Sequence, residues 1–328
     1  MKNYERILYI IRRYKNDVQN TFSLIPQWKE KNRGYGLKPS QFYPYRNEFK
    51  KYFVQYKLKE SNNIARHKRI SSIGTCFAEE IASFFKRESL GLTYLTLEDN
   101  IYDASANWGR VYTSLNLLQI IKYSFDNKFP YLIEKINKKY FDLLREKSVG
   151  QFENRNYALK ATTKHRELSR KVFSESDYLI ITLGQNEGWL YTEDQIMIGA
   201  IPDQDWFLKN KAKLRLKEIS FHENYIYLKE VIDILLDYNP NIKLIFTISP
   251  VPAYATFVSQ NVVIQSMAYK SILRSVVHEI EQEYENKIIY FPSYEIVMCN
   301  NNSYLKDNRH IRFNKVSEIL NLFKSSIK

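Results

Sequence analysis

Short apolar runs alternate along this chain with stretches of helical periodicity, and that alternation restricts the fold more than any other feature. Residues 177–183 read DYLIITL and stop at Gly184; residues 243–249 read KLIFTIS and stop at Pro250; residues 287–291 read KIIYF. Between them, YIYLKEVIDILLDYNP, ended by Asn239-Pro240, and residues 262–284 carry apolar positions at helical spacing. Strands without polar alternation are buried on both faces, and strands joined by helices pair in parallel. The chain therefore predicts a parallel sheet covered by helices on both sides.

The first such unit is residues 68–85, KRISSIGTCFAEEIASFF. A β-prone run leads through Gly74 to Cys76, after which Phe77, Ile81, Phe84 and Phe85 recur at helical spacing, with Glu79 and Glu80 in the first turn. This is a strand–turn–helix with a thiol at the turn. N–H groups at a helix N-terminus stabilise an anion, so a cysteine there tends toward thiolate, in the manner of a nucleophile elbow. A lone cysteine can equally be a small core residue, so the case for Cys76 depends on what else meets it.

The remaining segments fall into place with less force. Residues 90–97 read as a second strand and residues 115–125 as a helix. The run LIEKINKKYFDLLREK, residues 132–147, reads as a basic helical piece, and a further helix is expected near residues 166–173. Residues 185–219 form a long insertion, and a closing helix spans residues 313–327. Residues 1–65 read as an irregular, basic arm: a short helix over residues 4–20, then Pro26, Pro39 and Pro44 among aromatics. The domain proper is residues 66–328.

Charge supports that division. Of the net +13, residues 1–70 carry +12, from 17 Lys and Arg against 5 Asp and Glu. The basicity belongs to the arm, which could meet an anionic glycan, a lipid-linked phosphate or the inner membrane leaflet. Nucleic acid is a weak fit, since the rest of the chain is nearly neutral and holds no nucleic-acid motif. Two cysteines, Cys76 and Cys299, make no disulfide framework, and Cys299 reads as structural. The opening residues lack a signal peptide's apolar core, and no run is long enough to span a membrane. The expected location is cytoplasmic, peripheral to the membrane if the arm binds it. The histidines at 67, 165, 222 and 278 have no partners at metal-ligand spacing, so no metal is expected.

Ligands of open parallel sheets bind beyond the carboxyl ends of the strands. At those ends lie Cys76, Gly109 in GRVYTS, Gly184, Asn186 and Glu187 after DYLIITL, Ser249 and Pro250, and Asp307 and His310 in YLKDNRHIRF. Chemically these are parts for acyl transfer. Cys76 is the nucleophile, His310 the general base and Asp307 its orienter, with the Cys76 and Gly109 backbone N–H groups and the Asn186 side chain as oxyanion donors. Arg274, in QSMAYKSILR, either holds a substrate carboxylate or phosphate or forms a local ion pair.

Gly74-Thr75-Cys76-Phe77-Ala78 is similar to the signature of the GSCFA family, with threonine where serine is usual. GRVYTS, IITLGQNEGW, FTISPVPA, QSMAYKSILR and YFPSYEIV follow in the family's order, over roughly residues 68–312. That family in turn resembles SGNH (GDSL-type) hydrolases. The resemblance implies a three-layer α/β/α domain with a mainly parallel sheet. It sets Cys76 at the serine position, Gly109 at the glycine block, Gly184 and Asn186 at the G-x-N-D block, and Asp307 and His310 at the D-x-x-H block. Cysteine for serine and Glu187 for aspartate are its departures. The resemblance also implies a carbohydrate substrate from surface-polysaccharide or capsule biosynthesis, and a place beside that assembly machinery.

The expected function is acyl transfer or ester hydrolysis on a carbohydrate through an acyl-cysteine, with no bound cofactor and acyl-coenzyme A as the co-substrate of a transferase. The alternative is a glycan-binding or glycosyl-transferring protein that keeps the fold without acyl-enzyme chemistry.

Overall fold

The computed structural model describes residues 63–88, 91–97, 108–126, 128–300 and 302–328. Apart from its last three residues, the arm expected over residues 1–65, with its short helix, lies outside the described residues. Those last residues are tied to the chain's other end. Ile64 is fully buried and bridges Ile327 in parallel, exchanging backbone hydrogen bonds with Ser326 and Lys328.

The central sheet is parallel throughout. Its five strands are β1 (Arg69–Gly74), β2 (Thr93–Tyr94), β6 (Tyr178–Leu183), β10 (Lys243–Ile248) and β11 (Ile288–Tyr290). They lie in the order β11-β10-β6-β1-β2, a doubly wound arrangement. Every residue of β6 is buried, as its unbroken apolar sequence requires.

Eight helices are seen among the described residues: α1 (Cys76–Arg87), α2 (Ser114–Phe125), α3 (Arg155–Glu175), α4 (Gln204–Asn210), α5 (Phe221–Tyr238), α6 (Val262–Glu283), α7 (Ser293–Met298) and α8 (Phe313–Lys324). On one face, Leu179 and Ile181 of β6 and Leu244 and Phe246 of β10 share a core with Leu117 of α2, Phe173 of α3, Val231 of α5 and Leu273 of α6. Each such side chain contributes roughly 1.5–3 kcal/mol when fully buried. On the other face, Phe85 of α1 and Phe291 meet Phe323 of α8 edge to face, at 5.8 and 5.1 Å between centroids. Polar residues set the helix starts: Thr113, Asn154 and Asn261 cap α2, α3 and α6, and Ser220 with Glu223 forms a capping box on α5. No helix among the described residues is long and apolar enough to cross a membrane.

Residues 132–147 are not helical, contrary to their composition. They form a hairpin of β3 (Ile133–Ile136) and β4 (Lys139–Asp142), extended by β5 (Gln151–Phe152). Asn137 takes φ +57° in the two-residue turn, a conformation asparagine tolerates. The hairpin buries Ile136 and Phe141 beside Tyr123 and Trp206, a tertiary contact that outweighs helix propensity. The insertion at residues 185–219 holds a second antiparallel sheet, β7 (Glu187–Tyr191), β8 (Ile196–Met197) and β9 (Leu214–Glu218), together with α4. Gln119 of α2 pins β8 by bonding both the N–H and the carbonyl of Met197, each at 2.8 Å.

The closest approach in the sheet is at Gly74, which has φ +139° at the end of β1. A Cβ there would lie 2.0 Å from the Thr182 carbonyl oxygen. Gly74→Ala is expected to lower unfolding free energy by roughly 3 kcal/mol, read as a fall in the urea midpoint at constant slope.

Candidate active site

Strands β1 and β6 are neighbours whose connections leave toward opposite edges of the sheet, and Cys76 lies just past the end of β1, at this switch point. The turn is locked from both sides. The Thr75 N–H donates to the Thr182 carbonyl at 3.1 Å and to Thr182 Oγ1 at 2.8 Å, and the two threonine hydroxyls are 2.8 Å apart. Thr75 Oγ1 also accepts from the Phe77 N–H at 3.3 Å, capping α1. A serine hydroxyl could make the same cap, since serine and threonine are both favoured there. Cys76 is the first residue of α1, where a backbone N–H has no intrahelical acceptor.

A cleft of about 330 Å³ opens over this point. Its floor is Thr75, Cys76, Gly184 and Ser249, and its walls include Tyr112, Gln185, Glu187, Ile198, Tyr254, Phe257 and Arg309. The strip after Gly109 forms one side: the Val111 N–H bonds the Gly74 carbonyl, and the Gly184 and Gln185 N–H groups both bond the Tyr112 carbonyl. Burial pushes the Tyr112 hydroxyl up to about 12.

Burial also raises the Cys76 thiol above its ordinary value. Arg110 and Lys270 pull it down, while Glu79 and Glu80 push it further up. The helix N-terminus therefore does not leave Cys76 a free thiolate as its position alone suggested, because desolvation of a half-buried sulfur outweighs the nearby cations. Cys299, read as structural, is exposed at the C-terminal end of α7.

Glu187 faces the cleft and clamps its outer wall. One carboxylate oxygen accepts from Thr256 Oγ1 at 2.7 Å and the Tyr269 hydroxyl at 2.8 Å, and the other from the Phe257 N–H at 3.0 Å. Burial and the Glu187 carboxylate together push the Tyr269 phenol well above its usual range. Phe257 packs on Trp189 at 5.2 Å, whereas Tyr254 is 82% exposed at the rim.

Asp307 and His310 form the pair that their spacing predicts. Asp307 Oδ2 bonds His310 Nδ1, and Oδ1 accepts from the Arg309 and His310 N–H groups, each at 3.1 Å. These bonds, that from His310 foremost, hold the Asp307 carboxyl down at about 2. The segment is braced on the cleft wall: the Tyr304 hydroxyl donates to the Pro250 carbonyl at 3.0 Å and Arg309 Nε to the Pro252 carbonyl at 3.2 Å. His310 itself is exposed, and the lining residue from this segment is Arg309, its guanidinium 5.1 Å from the Tyr254 ring centroid.

Five expected site residues lie outside the cleft lining: Asp307 and His310, and with them Gly109, Asn186 and Arg274. Gly109, at φ +71°, packs against Glu146, whose Cβ would be 2.5 Å from an added Cβ. Asn186 is fully buried and donates to the Tyr269 carbonyl at 3.2 Å. Arg274 pairs with Glu295 at 2.9 Å and lies over the Tyr290 ring, the local ion pair that was one of its two readings.

Two residues the sequence reading passed over stand out instead. Arg309 sits inside the D-x-x-H motif itself. Lys270 occupies the buried stripe of α6 with Ser266, Tyr269, Leu273 and Val277, and a lysine at such a position is a signal legible in the sequence.

The GSCFA family profile matches residues 69–323, from β1 into α8. The chain belongs to the GSCFA family. Its signature segment is the turn that carries Cys76 from β1 into α1. A search of curated protein sequences found no match. Among solved structures, the chain is similar to a Clostridium thermocellum family 3 carbohydrate esterase, with 11% identity, 79% of this chain and 94% of that chain covered, and a TM-score of 0.37. It is also similar to a mutant acetyl esterase described with an acetate ion, with 9% identity, coverage of 79% and 95%, and a TM-score of 0.38.

Glu187→Ala would strip three donors of their acceptor. A loss of about 2 kcal/mol is expected, together with much faster hydrogen exchange at the Phe257 amide, read by mass spectrometry or NMR.

Proposed function

We propose that the cleft hydrolyses or transfers an ester-linked acyl group through Cys76. The observation that carries this reading is the thiol on the cleft floor at the sheet's switch point, with a bonded Asp307–His310 pair on the segment that braces the cleft wall. In this reading Sγ attacks the ester carbonyl, the Cys76 N–H donates to the developing oxyanion, and the alkoxide leaves with a proton. A thioester remains on Cys76. Water then completes hydrolysis, or an acceptor hydroxyl completes transfer, regenerating the thiol. His310, oriented by Asp307, exchanges protons with the leaving group and the incoming nucleophile. Gly109 and Asn186 are left out of the oxyanion site, because Glu146 and Tyr269 engage their surroundings.

The exposed Tyr254 ring beside Arg309 favours a carbohydrate bearing an anionic group: the ring offers a flat apolar face and the guanidinium a charge-assisted donor. A polysaccharide acyl ester and, for transfer, an acyl-coenzyme A donor fit that chemistry.

The test is turnover of an acyl ester, with and without a sugar acceptor. Cys76→Ala is expected to lose roughly 10³-fold or more in kcat/KM, and Cys76→Ser to keep part of the activity. His310→Ala should fall nearly as far, and the double variant Cys76→Ala, His310→Ala little further. Undiminished turnover in Cys76→Ala would end the acyl-enzyme reading in favour of a glycan-binding or glycosyl-transferring role.

A further inference from the structure

Lys270 is 2% exposed, on the face of α6 that packs against the sheet. Its Nζ donates to the Ser249 carbonyl at 2.6 Å and lies 3.4 Å from the Gly184 carbonyl. Those carbonyls follow β10 and β6, directly under the cleft floor. A Cβ built on Gly184 would sit 3.3 Å from Nζ and 3.6 Å from Thr75 Cγ2, so the amine lies one residue's width from the Cys76 turn. A buried lysine ordinarily pairs with a carboxylate. Among the described residues no acidic side chain bonds this one, and a Cys76 thiolate would favour its charged form.

We infer that Lys270 is the buried proton partner of Cys76, accepting the thiol proton from below the cleft floor as the nucleophilic thiolate forms. The inference rests on the reading of Cys76 as a nucleophile, and it assigns the first proton acceptor to Lys270 rather than to exposed His310. Accepting the nucleophile's proton makes Lys270 the general base of the first step.

The chemistry balances within the pair. A neutral primary amine has two N–H bonds and one lone pair. The Ser249 and Gly184 carbonyls take the N–H bonds, which leaves the lone pair for a proton. The S–H bond breaks, an N–H bond forms, and thiol plus amine becomes thiolate plus ammonium with no other reactant. Burial lowers Lys270 to about 7, so the amine is available as a base near neutrality, while a Cys76 thiolate would favour its protonation. The groups facing Cys76 are Arg110 and Tyr112 from the strip before α2, Glu79 and Glu80 from α1, and Lys270 from α6. Of these, burial brings Lys270 to about 7 and pushes Tyr112 up to about 12. Lys270 is therefore the group that can impose a step near pH 7 on the thiol.

The experiment is the pH profile of Cys76 alkylation by iodoacetamide, in a Cys299→Ser background so that one thiol reports. A coupled pair titrates in two macroscopic steps. Wild type is expected to show a first rise near pH 7 and a second at higher pH. Lys270→Met should lose the first rise and react about tenfold or more slowly at pH 7.5, one pKa unit being a factor of ten. His310→Ala should keep the first rise. A wild-type profile with a single rise above pH 9 overturns the inference without any variant at Lys270. So does a first rise that survives Lys270→Met and disappears in His310→Ala. Turnover separates this from the proposed function: a Lys270-dependent step without ester turnover keeps the pair and removes the esterase, and Cys76-dependent turnover without the step does the reverse.

Discussion

The fold and the site both depend on how closely β1 approaches β6 at Gly74. There the β1 backbone comes against the Thr182 carbonyl, the Thr75 N–H bonds that carbonyl and its hydroxyl, and the chain turns at once into α1. A side chain in place of the Gly74 hydrogen would push the strands apart. The turn would then lose the bonds that aim Thr75 at the helix start and set Cys76 on the cleft floor. Buried apolar strands supply the driving force for the sheet, but this single contact converts a strand end into a site.

Around that point the cleft is assembled from parts distant in the chain, and most of its polar contacts hold backbone rather than await a ligand. Glu187 clamps the outer wall, Tyr304 and Arg309 brace the Asp307–His310 segment on it, and Gln119 pins the insertion that closes one side. The result is a braced wall with a half-buried thiol at its base. The same burial raises the thiol's pKa, so such a site needs a base within reach. His310 faces solvent, whereas Lys270 faces the interior.

The parallel sheet, the strand–turn–helix at Cys76 and the Asp307–His310 pair were legible in the sequence, because each rests on local signals: an unbroken apolar run, a glycine before a capping threonine, a three-residue spacing. The hairpin at residues 132–147 was not, because its apolar residues suit either period and only the core they share with Trp206 decides between them. The surroundings of two expected oxyanion donors were not legible either. Asn186 and Gly109 belong to the right segments, yet the side chain of one turns to Tyr269 and the other packs on Glu146, partners that lie 83 and 37 residues away in sequence.

By itself, then, the sequence determined the strands of the parallel sheet with most of the helices that cover it, and that a thiol stands at the first strand's end. Hydrophobic period, capping residues and glycine act over a few residues and are written in order along the chain. Only the tertiary structure decided which side chains face the cleft. Arg309 rather than His310 lines it, Arg274 is spent on Glu295, and a lysine from the core stripe of α6 comes up beneath Cys76. Direction and burial of a side chain follow from contacts between segments 21 to 86 residues apart, and no local pattern encodes those distances.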